Sequence, residues 1–311
     1  MGNFLKSLFS PATEKRDDND KNFELFKYDG IRAQRMGKTD FAIRCFEEAL
    51  KIRREPETAS LLINAYLQNN QTDRALHVAN RAVEADATNM HALLGRASIL
   101  FQCERYDEAL ADCQIIFAAD FPHPLVHLLA AKIKRALNDP EAALASLEEA
   151  VAKQDDLADA RLLMAEIQFD LGRYDQAMLN AEKLVELAPD DELGFILKGK
   201  ICEKNGKTND ALECYDRALS LDPYNRETAL LAARALLRDG RAADAVTFLD
   251  DTIEMIADFA PAYKLRAEAK RLAGDPAGAD ADERAAAAIA SEEAGGPGQV
   301  DFEEMNRGGI Y

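Results

Sequence analysis

The sequence predicts an all-helical protein built as a solenoid, and three observations carry that reading. Alanine returns at Ala42, Ala75, Ala109, Ala143, Ala177, Ala211, Ala245 and Ala279, first after 33 residues and then every 34. The next position is aliphatic in seven of eight cases, from Ile43, Leu76 and Leu110 through Leu144, Met178, Leu212 and Val246 to Asp280. No alternating apolar and polar stretch marks a strand. A fixed phase held over eight periods is the signature of a stacked array of supersecondary units.

The unit is clearest between Gly199 and Pro223. Gly199 and Ala211 are small enough for two antiparallel helices to approach closely, and Gly206 supplies the freedom of a tight reversal. Tyr215, Ala218 and Leu219 follow Ala211 at i+4, i+7 and i+8 and share one helix face. Pro223 lacks an amide proton and ends the helix. This unit resembles the tetratricopeptide repeat family, whose 34-residue helix-turn-helix carries that small residue, that aromatic and that proline. The resemblance covers residues 23–290 and implies a right-handed α-solenoid of about eight repeats. The sequence departs from the family pattern in having no Trp. In the first-aromatic column stand Phe26, Ala59, Leu93, His127, Arg161, Phe195, Ala229 and Tyr263, and the Tyr215 column is equally mixed, with Phe46, Ala79, Cys113, Leu147, Ala181, Leu249 and Glu283.

Taken in order, residues 1–22 form an N-terminal segment. Phe4, Leu5, Leu8 and Phe9 fall on one side of a short amphipathic helix suited to capping the first repeat, docking on a partner or touching a membrane surface weakly, while Lys6 and Ser7 interrupt any signal-like apolar run. The polar stretch 15–21 reads as a linker. Eight helical pairs occupy residues 23–291, their turns marked by Gly37, Asn69-Asn70, Glu104, Asn138-Asp139-Pro140, Gly172, Gly206, Gly240 and Gly274-Asp275-Pro276. The last second helix carries Asp280, Asp282, Glu283 and Arg284 where earlier repeats are apolar, as an outward-facing terminal cap requires. Residues 292–311, acidic and glycine-rich, are expected to form a disordered tail.

The balance of 38 basic against 56 acidic residues, a net charge of −18, argues against nucleic acid as a partner. Five cysteines in no paired spacing read as apolar fillers of a reducing, cytoplasmic compartment. His123 and His127 have no third ligand nearby, so a capping or surface role is favoured over a metal site. No nucleophile stands in a motif with a base, and no glycine-rich loop follows a strand. Pairs such as Glu47-Glu48 and Glu148-Glu149 sit on solvated helix faces. The chain is read as a non-enzyme without cofactor or metal.

In the family the first helices line a concave groove, so the resemblance implies which positions meet a partner. That face carries an apolar row, Leu94, Phe101, Leu128, Leu162 and Phe169, and then a basic cluster, Lys200, Lys204, Arg234, Arg238, Lys264 and Arg271. The cations have a competing use, pairing with Glu203, Glu227 and Glu268 on the same face. The carboxylate clamp of the chaperone-type members is not matched, since Lys27 is followed by Ile31 and the next repeat offers Leu61. Two functional classes follow. One is a cytoplasmic interaction scaffold that binds a peptide or helix in the groove, preferably an acidic segment with apolar anchors. The chain's own tail, with Phe302, Met305, Ile310 and Tyr311 among its acids, is one such segment. The other is a membrane-peripheral secretion or cell-surface assembly chaperone recruited through weak membrane contact of Phe4, Leu5, Leu8 and Phe9.

Overall fold

The computed structural model describes the backbone of residues 11–295 and the side chains of residues 18–291. Phe4, Leu5, Leu8 and Phe9, and residues 296–311, lie outside the described residues, while residues 292–295, read from the sequence as the start of a disordered tail, continue the last helix. The chain divides into two compact units, residues 1–155 and 156–311. In the first stand α1 (Pro11–Arg35), α2 (Thr39–Ile52), α3 (Pro56–Gln68), α4 (Thr72–Ala85), α5 (Met90–Gln102), α6 (Tyr106–Ala118), α7 (Pro124–Ala136) and α8 (Pro140–Lys153). In the second stand α9 (Ala158–Asp170), α10 (Tyr174–Leu187), α11 (Glu192–Lys204), α12 (Thr208–Leu221), α13 (Arg226–Arg238), α14 (Ala242–Met255), α15 (Ala260–Leu272) and α16 (Pro276–Gly295). There is no strand among the described residues, and within each unit successive helices pack against each other as stacked hairpins.

Every hairpin closes through one residue in the left-handed region: Gly37, Gly172, Gly206, Gly240 and Gly274, and also Asn70, Glu104 and Asn138. These are the predicted turns. Glu104, at φ 58°, has a Cβ to accommodate there, which costs about 1 kcal/mol. Side chains cap α5, α8, α11 and α13, where Asn89, Asp139, Asp191 and Asn225 accept from backbone amides of the first turn.

All eight alanines of the repeating column are 0% exposed, which places the helix crossing at that residue. The partner positions of the crossing lie twelve residues before the alanine, on the first helix, and four residues after it, on the second. In every hairpin at least one of the two is Gly or Ala. Gly30 faces Phe46, and Gly199 faces Tyr215; a Cβ added at Gly30 would stand 2.5 Å from the Phe46 ring, and one at Gly199 would likewise collide with Tyr215. Elsewhere the same register pairs Ala97 with Cys113, Ala131 with Leu147, Ala233 with Leu249, and in reverse Ile63 with Ala79. The mixed aromatic column of the sequence is therefore one half of a matched pair of columns.

A second matched set is polar. Asp112, 2% exposed, accepts two hydrogen bonds from Arg96, 2.8 and 2.6 Å, and Asp282, 4% exposed, accepts two from Arg266, 2.8 and 2.5 Å. Both pairs are separated by 16 residues. Lys270 adds a third contact to Asp282 at 2.9 Å. At the equivalent place in other hairpins Lys134 donates to Ser146, 2.8 Å, and Asn180 to Gln168, 2.9 Å.

Two sequence expectations are corrected here. Residues 15–21 are not a linker: they belong to α1, whose Asp20 and Glu24 reach Arg53, the residue that caps the end of α2, at 3.6 and 2.9 Å, while the Arg53 guanidinium lies 3.6 Å above the Phe23 ring. Asp282 is not part of an outward polar face, because Arg266 and Lys270 draw it inside, whereas Asp280 and Glu283 are exposed and pair with Arg271.

Burial pushes the Asp282 carboxyl upward, but the hydrogen bonds from Arg266 and Lys270 outweigh it and hold the group below its ordinary value of 3.8. A carboxylate depressed in the folded state stabilises the protein above its unfolded pKa, and the contribution is lost as the pH falls through the lower folded value. Asp282→Asn is accordingly expected to cost about 2–4 kcal/mol at neutral pH. The difference in urea midpoint between variant and wild type should shrink as pH is lowered below about 4, and a constant difference would contradict the assignment.

Candidate functional site

The first helices bring the predicted face residues to different fates. In the first unit Leu128 is 4% exposed and belongs to the interior of α7. Leu94 and Phe101 of α5 are half-buried against the core of that unit, and the Phe101 ring lies 5.8 Å from that of Tyr106. In the second unit Leu162 and Phe169 of α9 are half-buried against Ala165, Ala177 and Ile201, with the Phe169 ring 5.6 Å from Tyr174. These five apolar side chains mainly serve packing, and those that remain half-exposed offer ring and methyl edges rather than whole side chains.

The basic residues stand outward. Lys200 and Arg234 occupy the same register of α11 and α13, eleven residues before Ala211 and Ala245; Lys204 and Arg238 share the next turn. The positions beside them, Gly199, Ile201, Ala233 and Ala235, are buried, so this register is forced to the surface. Lys200 pairs with Glu227 at 3.1 Å and Arg238 with Glu203 at 2.5 Å, two ion pairs that tie α11 to α13. Arg271 of α15 pairs with Asp280 and Glu283 of α16 at 3.3 and 2.6 Å. Lys204, Arg234 and Lys264 are exposed and form no ion pair among the described residues. Exposed pairs of this type contribute little stability, so the face keeps its positive character at small cost.

Glu203 joins this surface to the core. Its carboxylate accepts from the Tyr215 hydroxyl at 2.8 Å as well as from Arg238. Tyr215 is fully buried, and its phenol pKa is raised by burial first and by the neighbouring Glu203 second. The sequence singled out both residues, but as an aromatic column and as a charge competitor; their contact crosses the hairpin and is not visible in spacing alone.

The other candidates carry no site chemistry. Lys27 is 8% exposed and donates to Glu55 and Glu57 at 2.8 and 2.5 Å, so its ammonium is engaged inside the first unit. His123 stacks on Phe121, ring centroids 5.6 Å apart, while His127 packs on Phe117 at 4.7 Å. No group of three or more His, Cys, Asp or Glu suited to a metal ion stands among the described residues. None of the described helices is long and apolar enough to cross a membrane.

Comparison with known proteins agrees with this geometry. Residues 134–201 and 204–269 match the tetratricopeptide repeat family model, and residues 35–112 match the model of anaphase-promoting complex, cyclosome, subunit 3. The chain is a tetratricopeptide repeat protein. Over 159 residues it is 25% identical to anaphase-promoting complex subunit 7 of Dictyostelium discoideum, a match covering 51% of this chain and 27% of that relative. The chain spans well under half the length of the curated relatives it matches. Among solved structures, the C-terminal part of a tetratricopeptide repeat protein from Cytophaga hutchinsonii is similar with TM-score 0.62 at 18% identity, covering 80% of this chain and 98% of that one. A tetratricopeptide repeat protein from Parabacteroides merdae gives TM-score 0.58 at 14% identity over 86% and 99% of the two chains. Both show the fold. Tetratricopeptide repeats are typically non-catalytic scaffolds for protein–protein interaction, and protein partners are the class of ligand this fold supports.

The double role of Glu203 separates core from surface experimentally. Glu203→Gln keeps an acceptor for Tyr215 and loses only the ion pair with the exposed Arg238, an expected change of about 1 kcal/mol. Glu203→Leu leaves the buried hydroxyl unpaired and is expected to cost about 1–3 kcal/mol. Equal melting temperatures for the two variants would contradict this division.

Proposed function

We propose that this tetratricopeptide repeat protein is a cytoplasmic, non-enzymatic scaffold that takes an acidic peptide or helix with apolar anchors on the first-helix face of α11 and α13. The observation carrying the reading is the pair Lys204 and Arg234, exposed in adjacent first helices and without an acidic partner among the described residues of a chain whose net charge is −18. Keeping exposed cations unpaired in so acidic a protein favours an acidic ligand over general adhesion. The flanking ion pairs Lys200–Glu227 and Arg238–Glu203 hold the two helices in register, so the free cations are presented on rigid elements. The five cysteines, all unpaired thiols, suit a reducing compartment. A relative named as a subunit of a large complex fits the same class of role.

The chain's own C-terminal sequence supplies a probe of the required chemistry: residues 299–311 contain Asp301, Glu303 and Glu304 beside Phe302, Met305, Ile310 and Tyr311. A labelled peptide of that sequence, titrated by fluorescence anisotropy into the chain shortened after Gly295, is expected to bind more weakly as salt is raised. The double variant Lys204→Glu, Arg234→Glu should weaken it by roughly tenfold or more. Binding indifferent to both changes would overturn the assignment to this face.

A further inference from the structure

The outer face of α1 is unlike its equivalents in the other hairpins. Leu25 stands 17 residues before the repeating alanine, and the same position is held by Thr58, Val126, Thr228 and Ala262, all 0% exposed; Leu25 is 55% exposed. Arg32 stands ten residues before the alanine, where Ala65, Ile99, Ile133, Ile201, Ala235 and Ala269 are each 2% exposed or less; Arg32 is exposed. In interior hairpins this register is covered by the second helix of the preceding hairpin, as Gly194 of α11 is by Leu184 and Val185 of α10. No hairpin precedes α1 among the described residues.

The uncovered face is not a uniform apolar surface. Leu25, Tyr28, Asp29, Arg32 and Met36 fall within an arc of about 100° on α1. Tyr28 and Met36 are 64% and 60% exposed. Beside them a pocket of about 300 Å³ is lined by Asp29, Arg32, Ala33, Met36, Lys38 and Phe41, with Phe41 contributed by α2 and 47% exposed. Asp29 and Arg32 lie one turn apart on α1, yet neither forms an ion pair with the other or with any described residue. A lone apolar patch says nothing of its occupant; this arrangement of charge does.

We propose that this face binds the same face of a second copy of the chain, with the two α1 helices antiparallel about the midpoint between Gly30 and Ile31. An isologous contact must be self-complementary under a two-fold axis. In antiparallel helices paired about that midpoint, Asp29 meets Arg32 of the second copy and Arg32 meets its Asp29. Leu25 comes level with Met36 of the second copy. Registers centred on residue 29 or on residue 32 set Asp29 against Asp29 or Arg32 against Arg32, whereas this one pairs the two opposite charges at both ends. This inference concerns the first unit and is independent of the peptide face proposed for the second.

The test is the association state of the full chain by sedimentation equilibrium over a concentration series. Wild type is expected to form a concentration-dependent dimer. Asp29→Arg and Arg32→Asp alone each face like charges and should weaken the dimer by roughly tenfold or more. In an equal mixture of those two single variants, a copy that is basic at both positions can face a copy that is acidic at both. Opposite charges then meet at both ends and association should be restored, as it should in the double variant Asp29→Arg, Arg32→Asp. Melting curves check that both single variants remain folded. A monomeric wild type, undiminished association of the single variants, or failure of the mixture to associate would each overturn the proposal. Deleting residues 1–10 provides the remaining arm: association unchanged by the deletion supports the second copy. Dimers that appear only after it would show that the chain's own N-terminal segment covers the face and would overturn the proposal.

Discussion

The constraint on which this fold rests is the volume available where the two helices of a hairpin cross. The alanine column fixes the point of closest approach, and of the two residues beside it at least one is Gly or Ala in every hairpin, so a large side chain there always faces a small one. Gly30 with Phe46 and Gly199 with Tyr215 are one solution; Ala131 with Leu147 and Ile63 with Ala79 are others. Once the crossing is set, the rotation of each helix about its axis is set as well. That rotation turns Lys200, Lys204, Arg234 and Arg238 to solvent because Gly199, Ile201, Ala233 and Ala235 are turned inward. The candidate partner face is thus a consequence of the crossing.

Charge is used in two ways that differ in their surroundings. Arg96 with Asp112 and Arg266 with Asp282 are bidentate and enclosed, so each guanidinium holds its carboxylate in one geometry and removing either partner leaves a charge in a poorly solvated place. The outer pairs, such as Lys200–Glu227, are exposed and exchange readily with water or with a ligand. Glu203 stands at the boundary, with one contact to the buried Tyr215 hydroxyl and one to Arg238 on the surface.

The periodicity made the helices, their turns and the buried alanines legible, because each depends only on local spacing and on which residues tolerate a positive φ. The polar stretch 15–21 misled because exposed helix and exposed linker share a composition; what fixes it as helix is Arg53, more than thirty residues on. Asp282 misled for a related reason, since an acid in an apolar register looks outward-facing until its two cations, on the facing helix, are seen to turn inward. Leu128 was placed on the groove by a face count, although helix faces in a stack are shared between groove and neighbour and only the packing of α7 decides that it lies inside. The exposed Leu25 and Arg32 were legible in principle: reading their columns down the repeats shows small or apolar residues everywhere else.

The crossing constraint is tested most directly by a sign change. Alanine favours a helix over glycine by about 1 kcal/mol, so Gly30→Ala is stabilising wherever there is room for a methyl group. Beside Phe46 there is none. Equilibrium urea unfolding of Gly30→Ala in the wild-type background and in a Phe46→Leu background measures both effects in one cycle. The constraint predicts that the substitution destabilises the wild type by about 1–3 kcal/mol and becomes neutral or stabilising once the ring is gone. The same destabilisation in both backgrounds would contradict it.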